Sequence, residues 1–194
     1  MRILGIDPGL QVTGYGIIED KGFRLIEAGF IRTEPKTPVQ ERITRIFDEI
    51  SKIVVEHRPD VLVLEKIYSH YKHPTTAILM GHARAMACLV CGKFDVKLVN
   101  YPSTRIKKAV TGNGHASKHQ VQRMVQSLLK LKSPPEPVDV SDALAMAISY
   151  CYIEKGIDFS PPEESKKILE ETGKRPELTT SPHHITERRK NYSG

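Results

Sequence analysis

Cysteine is scarce, with three in 194 residues. That is too few for a disulfide framework and fits a chain kept in a reducing compartment. Cys88 and Cys91 form a C-x-x-C, but they sit in an apolar, helical run with no second Cys or His pair nearby. They read as small buried residues rather than as a zinc or redox site. Long apolar runs are also lacking: no stretch approaches the roughly 18–20 residues of a membrane span. The opening Met1-Arg2-Ile3-Leu4-Gly5-Ile6-Asp7 enters a strand at once, without a leader pattern, so the expected setting is cytoplasmic and away from membranes. No internal repeat is visible. What remains is an ordinary soluble composition, 39% hydrophobic and 27% charged, on a chain long enough for one self-sufficient core.

Acidic residues are missing from one place in particular. Between Lys97 and Lys132 stand Lys97, Arg105, Lys107, Lys108, Lys118, Arg123, Lys130 and Lys132, and no Asp or Glu. Solvated surfaces normally interleave both signs. The net charge is +6, and it resides wholly in residues 1–156 (22 basic against 16 acidic), because 157–194 carry 7 of each. A single-sign patch of this length favours a polyanionic partner, most simply nucleic acid.

Three extended segments come first, at residues 2–6, 14–18 and 23–33. The turn Glu19-Asp20-Lys21-Gly22 separates the second from the third. Thr37-Pro38-Val39-Gln40 predicts a helix start with Thr37 as cap, and apolar residues keep helical period from Ile43 to about His57. Residues 61–64 form a continuous apolar strand of the doubly covered kind. A helix over about 75–91 is apolar on nearly all sides, so one face can lie on the sheet and the other on a second subunit. A short strand at 97–99 follows. Ser103 and Ser117 predict helix caps, the second in a box with Gln120. Pro134, Pro135 and Pro137 then break the chain before a last helix that runs to about Tyr152. Residues 157–194 read as a mobile tail. This order, β-β-β-α-β-α-β-α-α-α, gives an α/β fold with a mixed central sheet and helices on both faces. It is similar to the order of the ribonuclease H-like fold.

Four carboxylates stand at element ends. Asp7 closes the first strand and Glu65 the apolar strand. Asp139 and Asp142, three apart, share a face at the start of the last helix. If the strands carrying Asp7 and Glu65 are parallel neighbours, both residues emerge at the edge where open α/β sheets place ligands. Four close carboxylates repel one another unless cations hold them together, and hard oxygen donors suit Mg²⁺ or Mn²⁺. Two such ions roughly 3.5–4 Å apart activate water and stabilise the leaving oxygen of a phosphodiester. Each residue alone also has a structural reading: a turn at Asp7-Pro8-Gly9, a solvated strand end at Glu65, and a cap and first-turn acid at Asp139 and Asp142. The four together, beside an acid-free basic stretch, point to a metal-dependent nuclease.

The same residues carry a resemblance. Gly5-Ile6-Asp7-Pro8-Gly9 and Thr13-Gly14-Tyr15-Gly16 resemble the opening of RuvC-type Holliday junction resolvases, the crossover junction endodeoxyribonucleases. The resemblance continues through Leu64-Glu65-Lys66-Ile67-Tyr68, Gly81-His82-Ala83-Arg84, Thr111-Gly112-Asn113-Gly114 and Lys118-His119-Gln120-Val121-Gln122. It ends with Asp139-Val140-Ser141-Asp142-Ala143-Leu144-Ala145, covering about 1–153 and leaving the tail unmatched. It implies a homodimeric, Mg²⁺-dependent endonuclease whose domain is residues 1–156. Asp7, Glu65, Asp139 and Asp142 are then the metal-binding catalytic carboxylates, with two ions per site and Mn²⁺ able to substitute. Such an enzyme resolves four-way DNA junctions by paired symmetric nicks that leave 5′-phosphates. The resemblance further implies that Lys107 and Lys118 contact the cleaved backbone, and that Tyr68 stands where the family sets an aromatic against junction bases, often a Phe. A branch-migration motor complex is the implied partner. Asp-Pro-Gly after a first strand is also similar to the phosphate-facing turn of actin-like ATPases, but no second Gly-rich segment with its own Asp follows. His70, His73, His115, His119, His183 and His184 are assigned no role.

Overall fold

In strand β1 (Arg2–Asp7) successive side chains go to opposite faces: Ile3 joins one buried cluster, Leu4 and Ile6 the other. β4 (Val61–Glu65) repeats the pattern, with Val61 and Val63 on the first face and Leu62 and Leu64 on the second. Strands apolar on both sides require a cover on both sides, and the computed structural model, which describes residues 1–66, 74–155 and 185–188, supplies it. Helices α3 (Ser103–Thr111), α4 (Lys118–Leu128) and α5 (Val138–Lys155) cover the first face. Helices α1 (Val39–His57) and α2 (Pro74–Phe94) cover the second. The remaining strands are β2 (Val12–Glu19), β3 (Arg24–Arg32), β5 (Lys97–Tyr101) and β6 (Ile185–Arg188). Their order in the sheet is β5-β4-β1-β2-β3-β6. β1–β2 and β2–β3 are antiparallel; β1–β4, β4–β5 and β3–β6 are parallel. The mixed sheet with helices on both faces is the architecture expected.

Several boundaries differ from the sequence reading. Pro38, not Thr37, is the last residue before α1, because its ψ of 143° keeps it extended; the Thr37 amide instead donates to the Glu34 carbonyl at 3.1 Å. Pro102 plays the same part before α3, so Ser103 is inside the helix rather than capping it. The Ser117 box is present: the Ser117 hydroxyl accepts from the Gln120 amide at 3.2 Å, and the Gln120 side chain accepts from the Ser117 amide at 2.8 Å. α2 is longer than expected, and within it Thr75–Phe94 is by length and composition apolar enough to cross a membrane, contrary to the sequence reading. In the fold that helix lies on the sheet through Ala83, Ala87, Val90 and Cys91. Burial raises the Cys91 thiol to about 11, which suits a packing role. Most of 157–194 lies outside the described residues. Its one described piece, β6, adds a strand beside β3, with Ile185 opposite Ala28.

Candidate active site

Register and parity place the first two carboxylates. The parallel pairing of β1 and β4 ends with Ile6 opposite Leu64, so Asp7 and Glu65 are the next residues on adjacent strands. Asp7 has the parity of Ile3, and Glu65 that of Val61 and Val63, so both project toward the face that α5 covers. Glycines allow α5 to come down onto that face. A Cβ on Gly5 would lie 1.9 Å from the Ala143 carbonyl oxygen, and one on Gly14 would lie 2.1 Å from that of Asp139. Only bare backbone on β1 and β2 admits the helix this closely, and the helix brings Asp139 and Asp142 down to the strand ends.

The result is a cavity of about 820 Å³ lined by Asp7, Glu65, Asp139 and Asp142, together with Lys107 and Lys118. The sequence reading proposed these six as site residues, and the fold gathers all of them. Its seventh, Tyr68, lies outside the described residues, as do His70 and His73. Lys118 Nζ donates to Asp142 Oδ2 at 3.2 Å. The Asp142 carboxylate, more than any other group, raises the Lys118 pKa.

Asp7, Glu65 and Asp142 are held in a costly state. Burial first, then the Asp142 and Asp139 carboxylates, push Asp7 up to about 7 against the partial opposition of Lys118. Burial also raises Glu65; a hydrogen bond from Ser103 and the charges of Lys107 and Lys118 oppose it. Burial raises Asp142 as well, with Lys118 the chief opposing influence. Such a cluster, with oxygen donors only, fits hard divalent cations, which would restore the ionised forms. A separate group, Glu27, Glu56 and His57, could also ligate a cation. None of the three lines this cavity, and Tyr15 and His57 already engage Glu27 at 2.5 and 2.9 Å.

This electrostatic state has a measurable consequence. A carboxyl whose folded pKa is raised binds protons that the unfolded chain has released, so its contribution to stability is complete below the ordinary value and lost as pH rises through the folded one. For Asp7 the window runs from about 4 to about 7, and a shift of this size is worth up to about 4 kcal/mol. The protein in EDTA is expected to melt several degrees lower at pH 8 than at pH 5. Mg²⁺ should recover most of the difference, and Asp7→Asn should flatten the profile. A metal-free melting temperature that rises from pH 5 to pH 8 by the same amount in both proteins would show that Asp7 is not the strained group.

Two contributors escaped the sequence reading. Ser103, expected as a helix cap, instead gives its hydroxyl to Glu65. Arg84 was visible only as part of a motif; it donates to the Glu65 carbonyl at 2.5 Å and to the Asn100 side chain.

A family model described as crossover junction endodeoxyribonuclease RuvC matches residues 3–150. The chain belongs to the RuvC family. The RuvC of Rhodopirellula baltica is 48% identical over 151 residues, 77% of this chain and 84% of that protein. The RuvC structure of Thermus thermophilus superposes with a TM-score of 0.73 at 30% identity, covering 80% of this chain and 97% of that one. T. thermophilus RuvC in complex with Holliday junction substrate gives 0.75 at 28% identity, covering 80% and 96%. Family membership makes the chain a nuclease with a ribonuclease H-like fold, and the family span ends inside α5, before the C-terminal segment.

Proposed function

We propose that this protein is a Holliday junction resolvase, acting on four-way DNA through paired symmetric nicks that leave 5′-phosphates, in recombination and repair. The observation that carries the reading is the convergence of Asp7, Glu65, Asp139 and Asp142 in one cavity, flanked by Lys107 and Lys118, in a chain of the RuvC family. The nuclease domain is residues 1–156, followed by 157–194, a segment that is not wholly a loose tail because its strand β6 joins the domain's sheet, and the setting is cytoplasmic.

The four carboxylates would hold two Mg²⁺ ions, or Mn²⁺ in their place; when bound, these supply activation of water and charge neutralisation at the scissile phosphate. The chain's own residues do the rest. The Asp142, Asp139 and Glu65 carboxylates all act on Asp7, and Asp142 is coupled to the other three in the same way, so the four behave as one donor set. The hydrogen bond from Ser103 favours the ionised form of Glu65 against the burial that raises its pKa. Lys118, which pairs with Asp142, and Lys107 keep positive charge at the rim where a phosphate must approach. Tyr68 is assigned to stacking on an unpaired base near the crossover.

Two equivalent strands call for two sites, so the working form is a homodimer. On α2 the positions Ile78, His82, Ala85 and Leu89 recur at helical spacing and are exposed, opposite the buried Ala83, Ala87 and Val90. Ile78 at 60% and Leu89 at 53% exposure are costly for an apolar surface left in water. Leu89→Asp is expected to convert a dimer to a monomer in size-exclusion chromatography with light scattering, with its melting temperature nearly unchanged and junction resolution reduced to uncoupled nicking. Retention of the dimer would move the interface off this face. A branch-migration motor is the further partner proposed. The test of the whole reading is nicking of a synthetic four-way junction against linear duplex in Mg²⁺. Equal cutting of both substrates would refute junction specificity, and cutting of neither would refute the enzyme.

A further inference from the structure

Glu65 is the last residue of β4, and the chain leaves the sheet directly after it. Glu65 is paired with Tyr101 across the ladder, and the peptide that follows it is its remaining freedom at the strand end. That peptide is held at both ends. The Lys66 amide donates to the Tyr101 carbonyl at 2.9 Å, a last bond toward β5. The Glu65 carbonyl accepts from Arg84 Nη1 at 2.5 Å, and the second arm of the same guanidinium donates to Asn100 Oδ1 on β5. With the plane pinned from both sides, the Cα–Cβ direction of Glu65 is set, and Ser103 then meets its carboxylate.

We propose that Arg84 is a positioning residue for the cleavage reaction: from α2 it clamps the Glu65–Lys66 peptide to β5 and so fixes Glu65 as a metal-site donor. The proposal rests on Glu65 being such a donor. Arg84 lines the same cavity and could be taken for a phosphate contact. Its two forward nitrogens, however, are spent on protein acceptors, and the side chain is half-buried. A planar fork suits two acceptors at once, whereas a lysine ammonium on a flexible stem reaches one of them at best. The clamp also ties the active site to the helix that carries the exposed apolar face.

The test compares Arg84→Ala, Arg84→Lys, Asn100→Ala and Glu65→Gln in the full chain. Arg84→Ala is expected to lower the single-turnover cleavage rate by about 10–100-fold, in the range that a misplacement of about 1 Å causes. It should leave junction affinity within about twofold and raise the Mg²⁺ concentration for half-maximal thermal stabilisation at least fivefold. Arg84→Lys should recover part of both effects, and Asn100→Ala, the milder lesion, should show a smaller shift of the Mg²⁺ midpoint even if Arg84→Ala folds poorly. An unchanged Mg²⁺ midpoint in Asn100→Ala and Arg84→Lys, with Glu65→Gln inactive, would overturn the clamp and leave the site reading standing. Loss of junction affinity with an unchanged midpoint would make Arg84 a phosphate contact instead. Normal cutting by Glu65→Gln would overturn both readings together.

Discussion

Asp7→Asn should abolish junction cleavage, by about 10³-fold or more, while junction binding stays the same or tightens. The size follows from the donor set. Asp7 is acted on by all three other carboxylates, so neutralising it weakens the hold on any cation the cluster shares. A loss of about 4 kcal/mol of charge stabilisation at the reacting phosphate is about three decades in rate. The shape is unaffected, because Asn matches Asp in volume. Binding responds differently: affinity for DNA comes mainly from phosphate contacts of lysines and arginines, and removal of one negative charge beside Lys118 does not diminish them. The metal-free protein should also become more stable at pH 8, since an Asn needs no proton to be tolerated there. Single-turnover nicking, junction titration and melting in EDTA make the three measurements. Near-wild-type nicking sinks the metal-site assignment, and a melting temperature that falls at pH 8 means Asp7 has a structural partner not recognised above.

How far the sequence alone foretells this site depends on the range of the interaction involved. Strand-end carboxylates are legible because parity and apolar continuity are local: residues 61–64 read as a doubly covered strand, and Glu65 follows automatically. Asp139 and Asp142 share a helix face by spacing alone. The Ser117 box is legible for the same reason, as a three-residue signal. Features that need two distant elements are not. The pinning of the Glu65 peptide by Arg84 joins α2 to β4 and β5, and nothing within the stretch around Arg84 marks an inward-facing guanidinium. Ser103 presents the local pattern of a cap and is diverted by a tertiary partner. β6 is four residues, Ile185-Thr186-Glu187-Arg188, without an apolar alternation to announce it; its pairing to β3 is made by backbone groups that every residue carries.

The glycines of β1 and β2 belong to the same hidden class, and Gly14→Ala is the substitution that tests what they do. Gly14 and Gly16 leave two positions of β2 with no side chain to pack. In the fold the absence is functional. A methyl at Gly14 would stand 2.1 Å from the Asp139 carbonyl oxygen, 2.3 Å from its carbon and 2.8 Å from the Val140 nitrogen. All three are backbone atoms in the first turn of α5, so no rotamer change relieves the overlap. The helix start must retreat by an ångström or more, and Asp139 and Asp142 retreat with it. Overpacking of this kind costs about 1–3 kcal/mol in stability, which a chain of this length survives with a drop of several degrees in melting temperature. Catalysis is less tolerant: displacement of a reacting group by about 1 Å costs about 10²-fold. Gly14→Ala should therefore fold, bind junctions, and cut them about a hundredfold more slowly. Its Mg²⁺ requirement should also rise, because half the donor set has moved from the other half. The measurements are circular dichroism, junction titration and single-turnover nicking over a range of Mg²⁺. If Gly14→Ala melts lower yet cuts at the wild-type rate, the closeness of α5 serves packing alone, and the two aspartates on it are not bound to a fixed distance from Asp7 and Glu65.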